Sequence, residues 1–285
     1  LSRYLDLDLL RTFTMIAETR ALNRAADRVG RSQAAISMQV KRLEEIVNQP
    51  LLKRTGRGVL LTGHGERLLL HAQKILRAHD EALGDLSGAG LSGTIRFGCP
   101  DDYAVVFLPL LLRDFASQHP QVLVEVYCAP TPRLLERLEN HTLDIAMISL
   151  PGNTIEEAII RREPLVWVGA KGGDAAQMEP LQLALSDPDT LDHIAAISEL
   201  NNAGRQYRLA YASHSVSGLT AVVRSGQAIA VLTQTAVPND LQILPAEYGL
   251  PQLPDVSVTV KLDSKKPSAL VSAFEDHIRE LLPRL

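Results

Sequence analysis

Asn-Arg-Ala-Ala-Asp-Arg-Val-Gly-Arg-Ser-Gln-Ala-Ala-Ile-Ser-Met-Gln-Val-Lys-Arg-Leu-Glu, residues 23–44, is the stretch whose reading decides the fold. Asn23 predicts an N-cap for a short helix, Arg24 to Val29, in which Ala25 and Ala26 are small enough to admit a second helix at close range. Gly30 stands where the chain must turn through a left-handed conformation. Ser32 then caps a helix running to about Val47, with Ile36, Val40, Leu43 and Val47 stacked on one side. Two helices across a tight glycine turn form a helix-turn-helix.

The other face of that second helix carries the chemistry. At roughly 100° per residue, Ala34, Ser37, Met38 and Lys41 project away from the apolar stripe, with Gln33 at their N-terminal end. A buried helix is apolar all round, and a solvated one is usually richer in Glu and Lys. This face is small, polar and nearly free of acid, which is what close approach to base edges in a DNA groove requires. Gln33 can pair bidentately with adenine, Ser37 can donate or accept, and Ala34 and Met38 can meet a thymine methyl.

Upstream, Leu9, Leu10, Phe13, Ile16 and Ala17 recur at three- and four-residue steps and predict a helix from Leu5 to Thr19. Downstream, Pro50 to Thr62 places a Gly-x-Gly turn between two short apolar strands, a wing that carries Lys53, Arg54, Thr55 and Arg57. These cations, with Lys41, Arg42 and the Ser32 cap, suit phosphates rather than bases. The charge distribution agrees. From Leu1 to Gly65 there are 11 Lys+Arg against 6 Asp+Glu, and the rest carries 18 against 27, a basic head on an acidic body. From Gly65 to Leu86, Leu69, Ala72, Leu76, His79, Leu83 and Leu86 form a coiled-coil seam, which predicts a dimerisation helix. A dimer reads two half-sites, so an imperfectly palindromic double-stranded DNA target is expected. Ser87 to Gly93 reads as a flexible hinge.

Beyond the hinge, strands and helices alternate, which predicts an α/β body around a mostly parallel sheet. The expected strands begin at Thr94, Gln121, Asp144, Leu165, Leu181, Arg208, Ala228 and Val256. The expected helices span Val105–Gln118, Pro132–Asn140, Leu191–Leu200, Ser217–Ser225 and Ala269–Leu282.

Taken in order, residues 23–29, 32–44, 50–57 and 61–66 resemble the LysR-type transcriptional regulators, and the resemblance covers essentially the whole chain. Leu5 to Phe13, Arg208 to Tyr211 and Gly249 to Asp255 resemble more narrowly the LrhA, PecT and HexA branch. At positions 34 and 38 this chain carries Ala and Met where the family usually has Pro and often Arg, so no operator sequence carries over. The resemblance implies a winged head over residues 1–63, a linker over 64–90, and an effector domain over 91–285. That last part is similar to a two-lobed periplasmic-binding-protein fold, with lobe I at 91–164 and 264–285 and lobe II at 165–263. Two crossing strands, Leu165–Ala170 and Val256–Leu262, would join the lobes. Ligands of such folds sit beyond the carboxyl ends of the strands. There the chain offers Cys99, Pro100, Asp101, Asp102 and Tyr103, then Ser149, then Ser213, His214 and Ser215, and finally Thr233. The effector itself is left open, with the two aspartates expected to cap a helix and to discourage an anion.

Other classes are excluded on their motifs. No nucleophile elbow, His-Glu-x-x-His, P-loop or dinucleotide fingerprint is present, so neither an enzyme nor a cofactor is expected. Two cysteines, Cys99 and Cys128, make no metal site or disulfide framework, though Cys99 beside the crevice leaves a thiol-based regulator as an alternative, as is an effector-independent repressor. Charges at Arg3, Asp6, Asp8 and Arg11 break up the N-terminal residues, so neither a signal peptide nor a membrane span is expected, and a cytoplasmic homodimer or homotetramer is.

Overall fold

The computed structural model describes residues 4–56, 58–86, 91–155, 158–264 and 267–285, the side chains at 54, 81 and 84–86 excepted. The chain divides after Gly90 into two compact units.

In the first unit, the Asp6 side chain accepts from Asp8 N at 2.8 Å and opens α1 (Leu7–Thr19) two residues later than the periodicity suggests. The chain leaves α1 through left-handed Arg20 and re-enters helix at once in α2 (Leu22–Val29). Asn23 therefore lies inside α2 and does not cap it; the N-cap is Ala21, with no side-chain bond. Starting the helix early places Leu22 in the core. That burial outweighs one capping bond of about 1 kcal/mol. Gly30 does take the left-handed turn (φ 64°), and Ser32 does cap α3 (Gln33–Val47) by accepting from Ala35 N at 3.2 Å. Thr12 Oγ1 donates to Gln39 Oε1 at 2.8 Å and ties α1 to α3. β1 (Leu52–Thr55) and β2 (Gly58–Leu61) pair antiparallel as the wing. Glu44 anchors its start by accepting from Leu51 N and Leu52 N. α4 (Gly63–Leu86) follows, its first turn capped by Thr62 Oγ1, which accepts from Gly65 N at 3.0 Å.

The second unit begins with β3 (Gly93–Cys99), α5 (Asp101–Gln118), β4 (Val122–Cys128), α6 (Thr131–Glu139) and β5 (Ile145–Pro151). It continues through β6 (Arg161–Ala170), β7 (Leu181–Leu185), α7 (Leu191–Asn202), β8 (Tyr207–Ala212), α8 (Val216–Arg224), β9 (Ile229–Thr233) and β10 (Leu241–Ile243). β11 (Asp255–Leu262) and α9 (Ala269–Leu281) return the chain. Strand order is β4-β3-β5-β11-β6-β9-β7-β8, with β10 on β6.

The sheet is mixed rather than mostly parallel. β3 runs parallel to β4 and β5, and β7 parallel to β8 and β9, but β6 and β11 run against their neighbours. The reason is that these two strands carry the chain between lobes. β6 pairs with β11 over Arg161–Pro164 and with β9 over Leu165–Val168, so it is longer at its start than the expected Leu165. Arg161, Arg162 and Glu163 hid that half from a hydrophobic pattern. β11 pairs with β5 along Val256–Leu262, which sets it in the first lobe's sheet although the expected division at residue 263 gave it to lobe II. One core lies under β3, α5 and α9, where Phe274 meets Phe97 and Phe115 edge-on at 5.2 and 4.8 Å between ring centres. The other surrounds Trp167, Leu183, Leu200 and Val231.

Candidate functional site

In the first unit, the apolar stripe of α3 buries Ile36, Val40 and Leu43 and leaves Val47 partly buried, so the opposite face turns outward. Gln33, Ala34, Lys41 and Arg42 are exposed, and Met38 is 73% exposed. Ser37 is half-buried and lines, with Met38 and Lys41, a groove floored by Leu22, Val40, Leu52 and Val59. The exposed thioether and the groove beside it form an apolar spot within a polar and cationic face. Lys41 reaches Glu45 only at 4.0 Å on an open surface, a pairing too weak to withhold the cation from a phosphate. Lys53 and Thr55 are exposed on the wing, where Thr55 Oγ1 donates to Gly58 O at 3.1 Å. Arg57 and the Arg54 side chain lie outside the described residues.

The wing is seated by glycine. Gly58 has φ +136°, and a Cβ there would come within 2.5 Å of the Arg20 carbonyl. Val59 N donates to that same carbonyl at 3.0 Å, locking β2 to the end of α1.

The seam of α4 is divided. Ala72 is fully buried against α1, in a cluster with Leu9, Leu10, Phe13 and Leu68, and Leu69 and Leu76 pack beside it. That half serves the unit's own core, which a heptad pattern cannot distinguish from an intermolecular seam. His79 is half-buried, Leu83 is 57% exposed, and Ile75 and Ala82 are also exposed. The Leu86 side chain and residues 87–90 of the expected hinge lie outside the described residues.

In the second unit, a cavity of about 210 Å³ opens where four helices begin. Pro100, Asp101 and Asp102 line it from the start of α5, Ser149 from β5, Ser213, His214 and Ser215 from the approach to α8, and Thr233 from the end of β9. Cys99 and Tyr103 were expected there and are not lining residues. Both are fully buried in the lobe I core, where the Tyr103 hydroxyl bonds Ser149 Oγ at 2.9 Å. Thr131, Ser186, Asp189, Thr190 and Asp192 line the cavity and were not anticipated. The rule that found the other segments, a strand ending into a helix start, applies equally to Leu185–Leu191 and would have found most of these.

Asp101 and Asp102 sit in the first turn of α5 and do not cap it; the N-cap is Pro100. The Asp102 carboxylate accepts from Thr233 Oγ1 at 3.0 Å, a bond that joins α5 to β9. Burial pushes the Asp102 carboxyl up to about 6, reinforced by the Asp192 carboxylate and opposed by the hydrogen bonds from Thr233 and the Tyr103 backbone. Asp192 accepts from Ser186 Oγ, and Asp187 is bonded to His214 Nδ1. The Cys99 thiol, buried and close to Asp102, is raised well above its usual range, so it is a poor nucleophile. This speaks against the thiol-based alternative.

Both units match known families. Residues 7–66 match the bacterial regulatory helix-turn-helix protein of the lysR family, and residues 88–283 match the LysR substrate binding domain. This chain belongs to the LysR family. LysR proteins are DNA-binding transcription regulators and not enzymes. The chain is 65% identical over 285 residues to the HTH-type transcriptional regulator DgdR of Burkholderia cepacia, covering 100% of this chain and 97% of that one. It is 31% identical over 284 residues to the HTH-type transcriptional regulator PecT of Dickeya dadantii, covering 98% and 90%. PecT is a member of the branch that three short stretches suggested, and DgdR is about twice as similar. In fold, the chain resembles full-length CbnR complexed with its target DNA, with a TM-score of 0.67 at 20% identity over 97% of this chain and 99% of that one. A full-length OxyR of Pseudomonas aeruginosa gives 0.66 at 20%, covering 98% and 95%. Among the described residues, no helix is long and apolar enough to cross a membrane.

Proposed function

We propose that this LysR regulator reads DNA with the exposed face of α3, holds phosphates with the wing and the flanking cations, pairs with a second copy through the outer half of α4, and responds to a small molecule in the cleft between its lobes. The observation that carries the reading is the outward face of α3. Gln33, Ala34 and Met38 are open to water, beside exposed Lys41, Arg42 and Lys53. Gln33 and Ser37 supply hydrogen bonds to base edges, and Met38 and Ala34 supply apolar contact. The cations set register and strength without reading sequence. Two copies then engage two half-sites of an imperfect palindrome as a dimer or a dimer of dimers.

Selection from a randomised operator library tests the division of labour. Gln33→Ala or Ser37→Ala is expected to relax preference at one position, with about 1–3 kcal/mol lost on the preferred base. Lys53→Ala is expected to weaken all sequences alike and to lower the log–log salt slope by about one. Unchanged preference in both α3 variants refutes this reading face. For the cleft, Leu219→Trp places an indole in the cavity, which Leu219 lines. A metabolite response of operator binding that survives this substitution places the effector elsewhere.

A further inference from the structure

The cleft presents charge of one sign. Asp101 and Asp102 enter it from α5 and Asp189 and Asp192 from the start of α7, and no lysine or arginine lines it among the described residues. Its one basic ring there, His214, is already engaged by Asp187. Resting on the assignment of this cavity as the effector site, we propose that its ligand carries an aliphatic ammonium group, held between the carboxylates of the two lobes.

Four helix starts converge on the cavity, and bare helix N-termini favour anions. Here α5 and α7 carry acid in their first turns, which cancels and then reverses that preference on two of the four. Among the described residues, no cation of the protein neutralises these carboxylates: Asp102 accepts from the Thr233 hydroxyl and Asp192 from the Ser186 hydroxyl, neutral donors that leave the charge in place. Asp101 and Asp189 have no side-chain partner among the described residues, and Asp102 and Asp192 repel one another across the space. A cation between them removes that repulsion. A metal ion is the simplest cation, but no group of three potential ligands is gathered to hold one among the described residues, and hard cations need many oxygens at close range. An ammonium has three donors that can divide among separated carboxylates. The remaining wall is apolar, with Leu165, Leu219, Val231 and Val256, and in a space of about 210 Å³ it suits a short alkyl body. Because the acids come from both lobes, such a ligand favours whichever arrangement brings them together.

An ammonium reaches such a site on a simple amine or on an amino acid, so the test separates the two. The full-length protein is titrated, by calorimetry and by amide chemical shifts, with isobutylamine, alanine, isobutyrate and isobutanol. Saturable binding of isobutylamine or alanine, with shifts at the cleft and a loss of at least tenfold in both Asp102→Asn and Asp192→Asn, supports the proposal. Glu139→Gln, at the exposed end of α6, is expected to leave that affinity unchanged. Tighter binding of alanine than of isobutylamine assigns the ammonium to an amino acid, and the reverse to a simple amine. Thermal unfolding of each variant confirms that it is folded. Binding of isobutyrate or isobutanol at the cleft with the amines excluded overturns the proposal and leaves the cleft as the effector site. Amine binding that Mg²⁺ displaces at equal concentration, or that all three variants lower equally, overturns it as general acidity. Silence from both amine-bearing probes overturns it as well.

Discussion

Asp102 shows what a single residue contributes beyond its place in a motif. Its carboxyl is raised to about 6 in the folded protein, above the ordinary carboxylate range that the unfolded chain keeps. Between about pH 4 and pH 6 the folded state therefore holds a proton that the unfolded state has already lost. Stability falls as pH rises through that window, and the cost is fully present above it. Asp102→Asn removes the titrating group, so in urea unfolding the variant is expected to gain on wild type between pH 4.5 and pH 7.5, by on the order of 1 kcal/mol given that the side chain is only half-buried. An equal difference at both pH values would mean that the carboxyl titrates normally. The sequence places Asp102 at a strand end opening a helix and so within reach of the cleft. It does not reveal the company, because Asp192 arrives from 90 residues away and Thr233 from 131. Such pairings are set by how the strands order in the sheet, which local pattern does not encode. Cys99 and Tyr103 fail for a complementary reason. Cys99 ends β3 with its side chain on the core face, which strand alternation alone does not reveal without the register. Tyr103 lies in the first turn of α5 on the buried stripe with Phe107, Leu111 and Phe115, a turn earlier than the expected start of that helix at Val105.

Among elements, the head was the most legible, because each helix is bounded by chemistry that acts locally. Ser32, Gly30 and the Ile36, Val40 and Leu43 stripe do in the structure what their spacing suggests. Where the sequence misled, a buried side chain overrode a local signal, as Leu22 overrode Asn23. Helix α4 shows the same limit at larger size, since half of one heptad seam is taken up by the unit's own core. Leu83→Glu is expected to shift the protein toward monomer in sedimentation equilibrium, with unfolding by urea little changed, because Leu83 is exposed within its own unit. Ala72→Leu is expected to do the reverse at first order, lowering stability by about 1–3 kcal/mol through overpacking against α1. Should Leu83→Glu remain a dimer, the outer half of α4 is not the seam. The wing makes its own prediction. Gly58→Ala sets a Cβ into the Arg20 carbonyl at a backbone angle that alanine rarely adopts. Loss of about 1–3 kcal/mol is expected, and because the wing carries Lys53, operator affinity should fall with it. Wild-type values in both measurements would mean that the β2 contact with α1 is not held.

At the scale of the whole chain, the charge asymmetry and the alternation of strands and helices were readable because they average over many residues. The antiparallel course of β6 and β11 was not, because direction follows from how the chain passes between the lobes, and the early start of β6 was hidden by Arg161, Arg162 and Glu163. Those residues sit where two lobes share a sheet, and Glu163, buried, is bonded by Arg161 and by Thr235, so charge is accommodated there by pairing. A regulator assembled from a reading head and a ligand cleft is useful only if the two are energetically coupled, and coupling obeys a reciprocity that needs no knowledge of the path between them. If a cleft ligand changes operator affinity by some factor, operator must change ligand affinity by the same factor. Measured couplings of this kind run at about 1–3 kcal/mol, roughly 5- to 150-fold. The measurement is a closed cycle: operator affinity with and without saturating ligand, and ligand affinity with and without saturating operator, at one salt concentration because the DNA arms vary steeply with salt. Equal, non-unit factors are the expected result. A ligand that binds the cleft yet leaves operator affinity unchanged within error has no differential interaction with the DNA-competent state, and it would remove the cleft from the regulation of this protein.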